Sequence, residues 1–375
     1  MRILQLTSHL NVGGITRYVL TLSQRLVARG HQVVIAAGGG HAEPQVRKLS
    51  LTYWPVPLAT SAEFSAPVFW GIRHLVARLR AEPVDVIHAH TRVGQVVAEV
   101  VSRRLRIPYV TTWHGIYRPR LGRRLWPCTG AIAIAVSEPV REHLLDDFHV
   151  PPTRVRRIYN GIDVEHYAAP PAPAALEAYR ARWRIPSGRP ILGGIGRLAA
   201  GRVKGFDLIF VAASLLRRQI PDLHILIVGD GPRRPFLEDI VRRLGLEDRV
   251  IFVGVTEDIR LPLALMDLFI FPSRWPEAFG LTLVEAMATG RAVVATRMGA
   301  VPEIVRPDVD GWLVPPDDPE ALAAAAATLL RDPAARRRLG AQAQQRVRAL
   351  FTLDRLADEV DAVYHEVVDN RAALV

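Results

Sequence analysis

Residues 2–37 read RILQLTSHLNVGGITRYVLTLSQRLVARGHQVVIAA, and this stretch decides the class of fold. It begins with a short apolar run, continues with apolar residues at a spacing near 3.6, and ends in a second apolar run rich in Val and Ile. Short apolar runs separated by a helical period are typical of a βαβ unit, in which a helix joins two parallel strands. The stretch therefore predicts an α/β protein with a parallel sheet.

The same alternation continues along the chain, interrupted by an alanine- and proline-rich junction at 161–177. Helical sequence is expected from Pro319 to about Leu350 and over about 353–368. We expect two Rossmann-like, doubly wound domains, 1–165 and 166–351, that face a central cleft. Ligands of such sheets bind beyond the carboxyl ends of the strands. The further predicted strands are 84–90, 108–114, 131–137, 156–160, 190–196, 223–229, 249–254, 268–273 and 292–296.

The charge of the chain is unevenly distributed. The 375 residues carry a net charge of +11, and residues 1–160 alone hold 21 Lys and Arg against nine Asp and Glu. Such a basic half favours phosphate, nucleic acid or an anionic membrane surface, but no nucleic-acid module accompanies it and no nucleic acid is expected. The single cysteine, the lack of a secretion signal and the short apolar runs predict a cytoplasmic protein without a membrane span.

Glycines and a histidine follow strands in the first domain. Gly13 and Gly14 open the first helix, where a backbone can approach a ligand closely, although a plain tight turn explains them equally well. His114 in TTWHG follows a buried strand and is either structural or functional. We interpret His88 and His90 in VIHAH as structural or acceptor-side residues rather than a metal pair, because no Cys, Asp or Glu flanks them.

A lysine stands out in the second domain, because the chain has 46 arginines and only two lysines, Lys48 and Lys204. Lys204 and Arg197 follow the first strand of this domain. A compact ammonium beside a planar guanidinium suits a diphosphate whose charge grows as it leaves. Codon bias is the alternative explanation for the lysine. The glycine-rich exit VGDGP at 228–232 is expected beside the nucleotide.

Two glutamates lie eight residues apart in PSRWPEAFGLTLVEAMATG, residues 272–290. A helix that begins near Gly280 or Leu281 places Glu277 in the preceding loop and Glu285 one turn inside the helix. Carboxylates there can accept hydrogen bonds from sugar hydroxyls while the free amides hold phosphate. A capped helix with one exposed glutamate is the structural alternative. A DVD triplet at 308–310 resembles a metal-binding motif, but its turn-rich loop argues against that role.

These motifs together resemble the retaining glycosyltransferases of family 4, which have the GT-B fold. The similarity extends over nearly the whole chain, and its motifs occur in the family's usual order. The departures are slight and include Arg291 and Ala292, where the family often has a proline. The motifs are NVGGITRYVLTLSQRLVARGHQVVIA, VIHAH, TTWHG, AVSEPVREHLL, IYNGID, GIGRLAAGRVKGFDLI, LIVGDGP, VIFVG, PEAFGLTLVEAMATG and MGAVPEIV.

The resemblance implies a role for each matching position. Arg197 and Lys204 would bind the donor diphosphate, Glu285 the ribose hydroxyls, and Glu277 the transferred sugar. His114 would face that sugar, and a helix at about 352–375 would return to the first domain. The catalytic set is then His114, Arg197, Lys204 and Glu277. The donor-binding set is Gly13, Gly14, Arg197, Lys204, Gly229, Val253, Glu277, Ala278, Phe279, Gly280, Leu281 and Glu285.

The expected activity is transfer of a sugar, with retention, from a nucleoside diphosphate sugar to an acceptor. The donor is expected to be linked to UDP or GDP, with no metal and no cofactor. A glycan or a lipid-linked, cell-envelope intermediate is the expected acceptor, and Trp126 beside Arg123 and Arg124 suggests peripheral association with the inner membrane face. A sugar phosphorylase, a nucleotide-sugar epimerase and a non-catalytic nucleotide-sugar sensor remain alternatives.

Overall fold

The computed structural model describes residues 1–11, 13–118, 121–201 and 203–370. The chain divides into two compact units: unit 1 comprises Met1–Gly161 with Leu353–Val375, and unit 2 comprises Ile162–Thr352. Residues 371–375, which belong to the predicted C-terminal helix, lie outside the described residues. In the described part of the chain, no helix has the length and apolar content needed to cross a bilayer.

Unit 1 contains a seven-stranded sheet in which every pair of neighbours is parallel. Its strands are β1 (Arg2–Leu6), β2 (Gln32–Ala37), β3 (Thr52–Pro55), β4 (Val86–Ala89), β5 (Tyr109–Trp113), β6 (Ile132–Ala135) and β7 (Val155–Arg157). The spatial order is β3-β2-β1-β4-β5-β6-β7. The direction of winding therefore reverses between β1 and β4, which is where ligands of doubly wound sheets bind.

Helices cover both faces of this sheet because successive strand residues point to opposite faces. Ile3 joins a buried cluster with the helices Gly14–Ala28 and Leu353–Asp369, whereas Leu4 joins one with the helices Ala66–Ala81 and Arg92–Leu105. Apolar residues on both faces explain why the strands are apolar runs without alternation. The helices are α1 (Gly14–Ala28), α2 (Glu43–Lys48), α3 (Ala66–Ala81), α4 (Arg92–Leu105), α5 (Leu121–Leu125), α6 (Glu138–Asp146), a 3₁₀ turn (Pro152–Arg154) and α16 (Leu353–Asp369).

The C-terminal helix α16 belongs to the core of unit 1. Leu356, Val360, Val363 and Val367 recur at a spacing of three or four and are all buried in the cluster around Ile3. At its margin, Arg29 of α1 donates to Asp358 at 2.6 Å. The last helix therefore completes one face of a sheet whose strands all come from the first 161 residues.

Unit 2 contains a six-stranded sheet whose neighbouring strands are also parallel. Its strands are β8 (Ile191–Ile195), β9 (His224–Val228), β10 (Val250–Gly254), β11 (Leu268–Phe271), β12 (Val293–Thr296) and β13 (Trp312–Val314). Its helices are α7 (Val164–Ala168), α8 (Pro173–Trp183), α9 (Phe206–Leu216), α10 (Arg234–Arg243), α11 (Arg260–Leu265), α12 (Leu281–Ala288), α13 (Val301–Ile304), α14 (Pro319–Arg331) and α15 (Pro333–Leu350).

The order of this second sheet is β10-β9-β8-β11-β12-β13, so its winding reverses between β8 and β11. The predicted α/β class with two doubly wound parallel sheets is confirmed. Two details differ. The helical sequence 319–350 is interrupted at Asp332, whose side chain accepts from the amide of Ala335 and caps α15. The junction 161–177 contains α7 and the first turn of α8, which begins at a proline.

Candidate active site

Two loops of unit 2 leave the sheet at its reversal point. The Lys204 loop (residues 196–205, of which 202 lies outside the described residues) follows β8, and the Glu277 loop (residues 272–280) follows β11. Because β8 and β11 are paired neighbours, the two loops start side by side at the carboxyl edge of the sheet. This is where a ligand of a doubly wound sheet is expected.

The two residues that name these loops form an ion pair. Lys204 Nζ lies 2.6 Å from Glu277 Oε1, and the same oxygen accepts a hydrogen bond from Ser273 Oγ at 2.8 Å. The ammonium also lies 5.7 Å from the centre of the Phe271 ring. An ammonium has three N–H donors, so two remain beyond the bond to Glu277. The structure thus brings two predicted residues together and leaves Lys204 able to bind a further acceptor.

Backbone contacts hold the two loops at this distance. The amide of Arg274 donates to the carbonyl of Val203 at 2.8 Å. Gly205 has a φ of +62°, and a Cβ there would lie 1.9 Å from the carbonyl oxygen of Pro272, so only glycine allows this approach. Arg274 also donates to both carboxylate oxygens of Asp207, at 2.6 and 2.7 Å, which ties the Glu277 loop to the first turn of α9.

Arg197 is exposed and makes no hydrogen bond or ion pair with the described residues of the chain. Its guanidinium is therefore available to a ligand. Gly229 follows β9 with a φ of +129°, and a Cβ there would lie 2.0 Å from the carbonyl oxygen of Gly196. Glycine at 229 thus keeps the exits of β8 and β9 in contact, which brings the predicted nucleotide-side glycine next to the Lys204 loop.

Val253 has a buried side chain, so only its backbone is available to a nucleotide base. The register between β9 and β10 shifts between Phe252 and Gly254, which places Val253 in an irregular part of the strand. Strand irregularities of this kind are common next to functional sites because they release backbone groups from the ladder.

The helix α12 begins at Leu281, with Gly280 as its N-cap at a φ of +110°. Ala278 is half-buried, whereas Phe279 is buried and its ring contacts Phe351. The predicted start near Gly280 or Leu281 matches this geometry. The first amides of α12 follow the Glu277 loop directly, so free N–H donors and the positive end of the helix dipole lie after the carboxylate.

Glu285 is fully buried inside α12, and Oε1 accepts a hydrogen bond from Tyr167 Oη at 3.0 Å. The structural alternative of a capped helix with an exposed glutamate is therefore wrong for this position. Carboxylates are rarely buried without a partner because transfer from water costs several kcal/mol. Tyr167, which the sequence analysis missed, lies in α7 within the junction segment.

In unit 1 the predicted residues lie at the carboxyl ends of β1 and β5. Gly13 is the N-cap of α1 and Gly14 its first residue, both exposed. A Cβ on Gly13 would have nothing within 4 Å and its φ of 166° is ordinary, so neither the described neighbours nor the backbone requires a glycine there. His114 is half-buried, and its Nε2 lies 3.4 Å from His90 Nδ1. Burial lowers the pKa of His114 to about 3.

The structure revises the basis of the expected membrane contact. Arg123 is buried and donates to Gln95, with Glu63 3.8 Å away, so it is not a surface cation. Arg124 is exposed, and the ring of Trp126 stacks on that of Phe64 at 6.3 Å. The helix α5 instead exposes its two leucines, with Leu121 and Leu125 74% and 79% exposed.

The DVD triplet has a structural role. Asp310 is fully buried and accepts hydrogen bonds from the amide and Nε of Arg306, both at 2.6 Å. Its carboxylate is thereby neutralised inside a turn of unit 2. Within the described residues, no group of three or more His, Cys, Asp or Glu is arranged to hold a metal ion.

Several residues that shape the site were missed in the sequence. Ser273 shares the Glu277 oxygen with Lys204, and the Asp207–Arg274 pair joins the two loops. A serine two residues after a strand and an Asp in the first turn of a helix carry weak signals, because both are common at loop ends and caps. Their contacts depend on the order of the strands in the sheet, which the residue types do not indicate.

Comparison with known proteins agrees with this architecture. Residues 176–346 match the family Glycosyl transferases group 1, and residues 12–166 match Glycosyltransferase Family 4. The chain is 25% identical to N-acetyl-alpha-D-glucosaminyl L-malate synthase of Bacillus anthracis, over 97% of this chain and 96% of that protein. It is 30% identical to alpha-maltose-1-phosphate synthase of Mycolicibacterium smegmatis, over 76% and 80% respectively.

The solved structure of the Anabaena protein HepE in complex with UDP and glucose superimposes with a TM-score of 0.83. It is 23% identical and covers 96% of this chain and 98% of its own, a likeness that concerns the fold. Two doubly wound sheets with this likeness define a GT-B protein. The chain belongs to the group 1 glycosyltransferases of family 4, and it is a glycosyltransferase.

Proposed function

We propose that this glycosyltransferase moves a sugar from a nucleoside diphosphate sugar to an acceptor hydroxyl with retention at the anomeric carbon. The observation that carries the proposal is the Lys204–Glu277 pair at the reversal point of the unit 2 sheet, with the unengaged Arg197 on the same loop. Lys204, which is bonded to a carboxylate, and Arg197, which has no partner among the described residues, can together bind a substrate that joins a diphosphate to a polyhydroxylated ring.

The two cations bind the diphosphate in this proposal. Lys204 uses its two remaining N–H donors and Arg197 its planar fork, so the charge that develops on the leaving nucleoside diphosphate is stabilised. The first amides of α12 add donors without a net charge. The proposed mechanism therefore requires neither a metal ion nor a cofactor.

Glu277 and Glu285 bind hydroxyls in the same proposal. Glu277 keeps Oε2 for the transferred sugar while Oε1 is held by Lys204 and Ser273. Glu285 binds the ribose after rearrangement of its contact with Tyr167, and Gly229 and Val253 offer backbone to the nucleotide. We propose attack from the face of the leaving group, because none of the described residues of the candidate site is an evident nucleophile for a covalent intermediate.

For unit 1 we propose contact with the acceptor, the diphosphate and the reacting sugar. Gly13 and Gly14 leave room for the diphosphate at the start of α1, and His114 contacts the transferred sugar. Gly13 is exposed and has open space around it, so the backbone at the start of α1 is accessible to a ligand. UDP-sugars are the first donors to test, since HepE was solved with UDP.

A lipid-linked or other cell-envelope glycan is the proposed acceptor class, reached by peripheral binding at the inner membrane face. Leu121, Leu125 and Phe64 are exposed apolar side chains in the half of the chain that carries the excess positive charge. Anionic vesicles should float the protein at low salt, and a double Leu121→Ser, Leu125→Ser variant should float less. Equal flotation of both proteins, or none of the wild type, would remove the membrane contact.

The donor and the stereochemistry can be tested together. A thermal-shift screen of UDP-, GDP- and ADP-sugars should show one base that raises the melting temperature, because a ligand that binds only the folded state stabilises it. NMR of the product should then show the anomeric configuration of the donor. Inversion would overturn the retaining mechanism.

A turnover assay with the identified donor, with and without inorganic phosphate, separates the alternative functions. A sugar phosphorylase needs inorganic phosphate, and a nucleotide-sugar epimerase returns an altered nucleotide sugar. A non-catalytic sensor binds a donor with neither transfer nor hydrolysis. Release of nucleoside diphosphate without phosphate dependence supports the transferase.

A further inference from the structure

A chain of polar side chains runs through unit 1 from the C-terminal helix to His114. Gln5 Nε2 donates to Tyr364 Oη at 3.1 Å, and Gln5 Oε1 lies 2.6 Å from His90 Nε2. His90 Nδ1 in turn lies 3.4 Å from His114 Nε2. Gln5 comes from β1, His90 follows β4 and His114 follows β5, so three neighbouring strands and α16 each contribute one member.

Burial makes the direction of each hydrogen bond in this chain consequential. Gln5 and Tyr364 are fully buried and His90 is 2% exposed. A buried polar atom without a partner costs about 1–3 kcal/mol, so each donor must meet an acceptor along the chain. Burial, then the neighbouring histidines, lowers the pKa of His90 well below its usual range, and the ring is neutral with a single N–H.

A branch from Tyr364 fixes the far end of the chain. Tyr364 Oη lies 2.6 Å from His88 Nδ1, and His88 Nε2 lies 2.6 Å from Thr112 Oγ1. Because Tyr364 accepts from the Gln5 amide, its own O–H is free to donate to His88 Nδ1. His88 then donates from Nε2 to Thr112. Every donor of this branch then meets an acceptor, which is consistent with the nitrogen of the Gln5 amide facing the tyrosine.

The remaining hydrogens follow from Gln5. An amide oxygen only accepts, so His90 Nε2 carries the hydrogen and His90 Nδ1 carries a lone pair. His114 Nε2 must then be the donor in the contact with His90. Burial keeps His114 neutral above a pKa of about 3, so its second nitrogen, Nδ1, has no hydrogen.

We propose that Gln5 and His90 are positioning residues that hold His114 in the tautomer with hydrogen on Nε2, and thereby leave Nδ1 as a hydrogen-bond acceptor for a hydroxyl of the bound sugar. The proposal rests on the proposed function, which places a sugar at His114. A neutral acceptor nitrogen suits a hydroxyl donor and repels the oxygens of a phosphate, so it separates the hydroxyl side of the substrate from the diphosphate side.

Tautomers can be measured directly in the wild-type protein. Long-range proton–nitrogen correlation spectra of the histidine-labelled protein distinguish a ring protonated on Nε2 from one protonated on Nδ1. We expect the Nε2–H form for His114, His90 and His88 near neutral pH. An Nδ1–H ring at His114 would overturn the proposal, since every hydrogen bond in the chain would then run the other way.

Substitutions test whether the hydrogen-bonded side chains of Gln5 and His90 cause this tautomer of His114. His90→Asn places an amide that can present either atom to His114, so we expect a mixture of His114 tautomers and a loss in kcat of about tenfold, equivalent to one hydrogen bond. Thr111→Val removes a buried hydrogen bond of the neighbouring residue in β5, to the carbonyl of Thr129 and outside this chain of polar side chains, and is the matched control, with the His114 tautomer unchanged. An unchanged single tautomer in His90→Asn would contradict the proposal.

The spectra keep this proposal separate from the proposed function. If His114→Ala transfers sugar at the wild-type rate, the sugar contact fails even though the tautomer is as expected. If the wild-type tautomer is Nδ1–H while His114→Ala is inactive, the sugar contact stands and the positioning role fails. Tyr364→Phe offers a second variant in which Gln5 is free to turn and a partial mixture is expected.

Discussion

At the scale of single residues, Lys204 has contacts that suit a lysine in a chain with 46 arginines and only one other lysine. Its ammonium shares Glu277 Oε1 with Ser273 and lies near the face of Phe271. A compact ammonium occupies this corner with one bond to Glu277 and two spare donors, whereas a planar guanidinium would commit two nitrogens to a carboxylate. The geometry favours the functional interpretation of this lysine over codon bias.

Replacement of this ammonium should weaken donor binding. For Lys204→Met we expect a loss of affinity for the nucleoside diphosphate of about tenfold to a hundredfold, because a hydrogen bond to a charged group contributes about 1.5–3 kcal/mol. Isothermal titration of the nucleoside diphosphate measures the effect. Lys48→Met is the matched control, because Lys48 is the other lysine, is exposed and lies in unit 1. Equal affinities of the two variants would exclude Lys204 from the diphosphate site.

The sequence indicates individual residues well when their chemistry is unusual for their place. Lys204, Glu277 and Glu285 attract attention because of their residue type and their position after strands or in a helix start. Ser273, Asp207 and Tyr167 do not, since a serine in a loop, an aspartate in a first helical turn and a tyrosine in a junction are ordinary there. Their roles depend on partners 4, 67 and 118 residues away.

At the scale of elements, the site depends on the close approach of two loops. Gly205 and Pro272 come together at the exits of β8 and β11, and the amide of Arg274 reaches Val203 in the same region. A side chain at 205 would collide with backbone rather than with a movable side chain. The loops would have to separate, and Lys204 and Glu277 with them.

Gly205→Ala should therefore cost both stability and donor affinity. Gly188→Ala is the control, because Gly188 has a similar φ of +69° but nothing within 4 Å of an added Cβ. The control should lose only the strain of a left-handed alanine, about 1–2 kcal/mol in urea unfolding. Gly205→Ala should lose more and also bind nucleoside diphosphate more weakly. The same loss in both variants, with donor affinity intact, would show that the loop contact is unimportant.

Helix and strand positions could be predicted where the periodicity is long and regular. The break between α14 and α15 was not expected, although Asp332 followed by Pro333 is a helix-start signal. The alanine-rich sequence on both sides has high helix propensity and hides the interruption. The strand β3 was missed for a different reason: Thr52–Pro55 is a short strand at the edge of the sheet, without a long apolar run.

At the scale of the whole molecule, buried histidines make the stability of unit 1 depend on pH. Burial lowers the pKa of His88 and His90 well below the usual range and that of His114 to about 3. In the unfolded chain each ring takes up a proton below about pH 6.5. The unfolded state then binds more protons than the folded state, so acid favours unfolding.

We expect the free energy of unfolding of unit 1 to be greatest above pH 6.5 and to fall as the pH drops toward 3, by up to about 1.4 kcal/mol per pH unit for each histidine. Pulse proteolysis in urea at pH 7.5, 6.5 and 5.5, with fragments assigned to each unit, measures this fall. His41→Gln, at an exposed histidine of unit 1, should leave the slope unchanged. A urea midpoint of unit 1 that is constant over this range would contradict the prediction.

The two parallel sheets, the family and the residue types of the candidate site could be predicted from the sequence, because strand and helix periods and loop chemistry are local properties of the chain. The folded structure was needed to show which loops meet, that Arg123 is buried while Leu121 and Leu125 are exposed, and that Tyr364 contacts Gln5 across 359 residues. Strand order and burial are the physical reason: they bring distant side chains together and set which hydrogen each must give or accept.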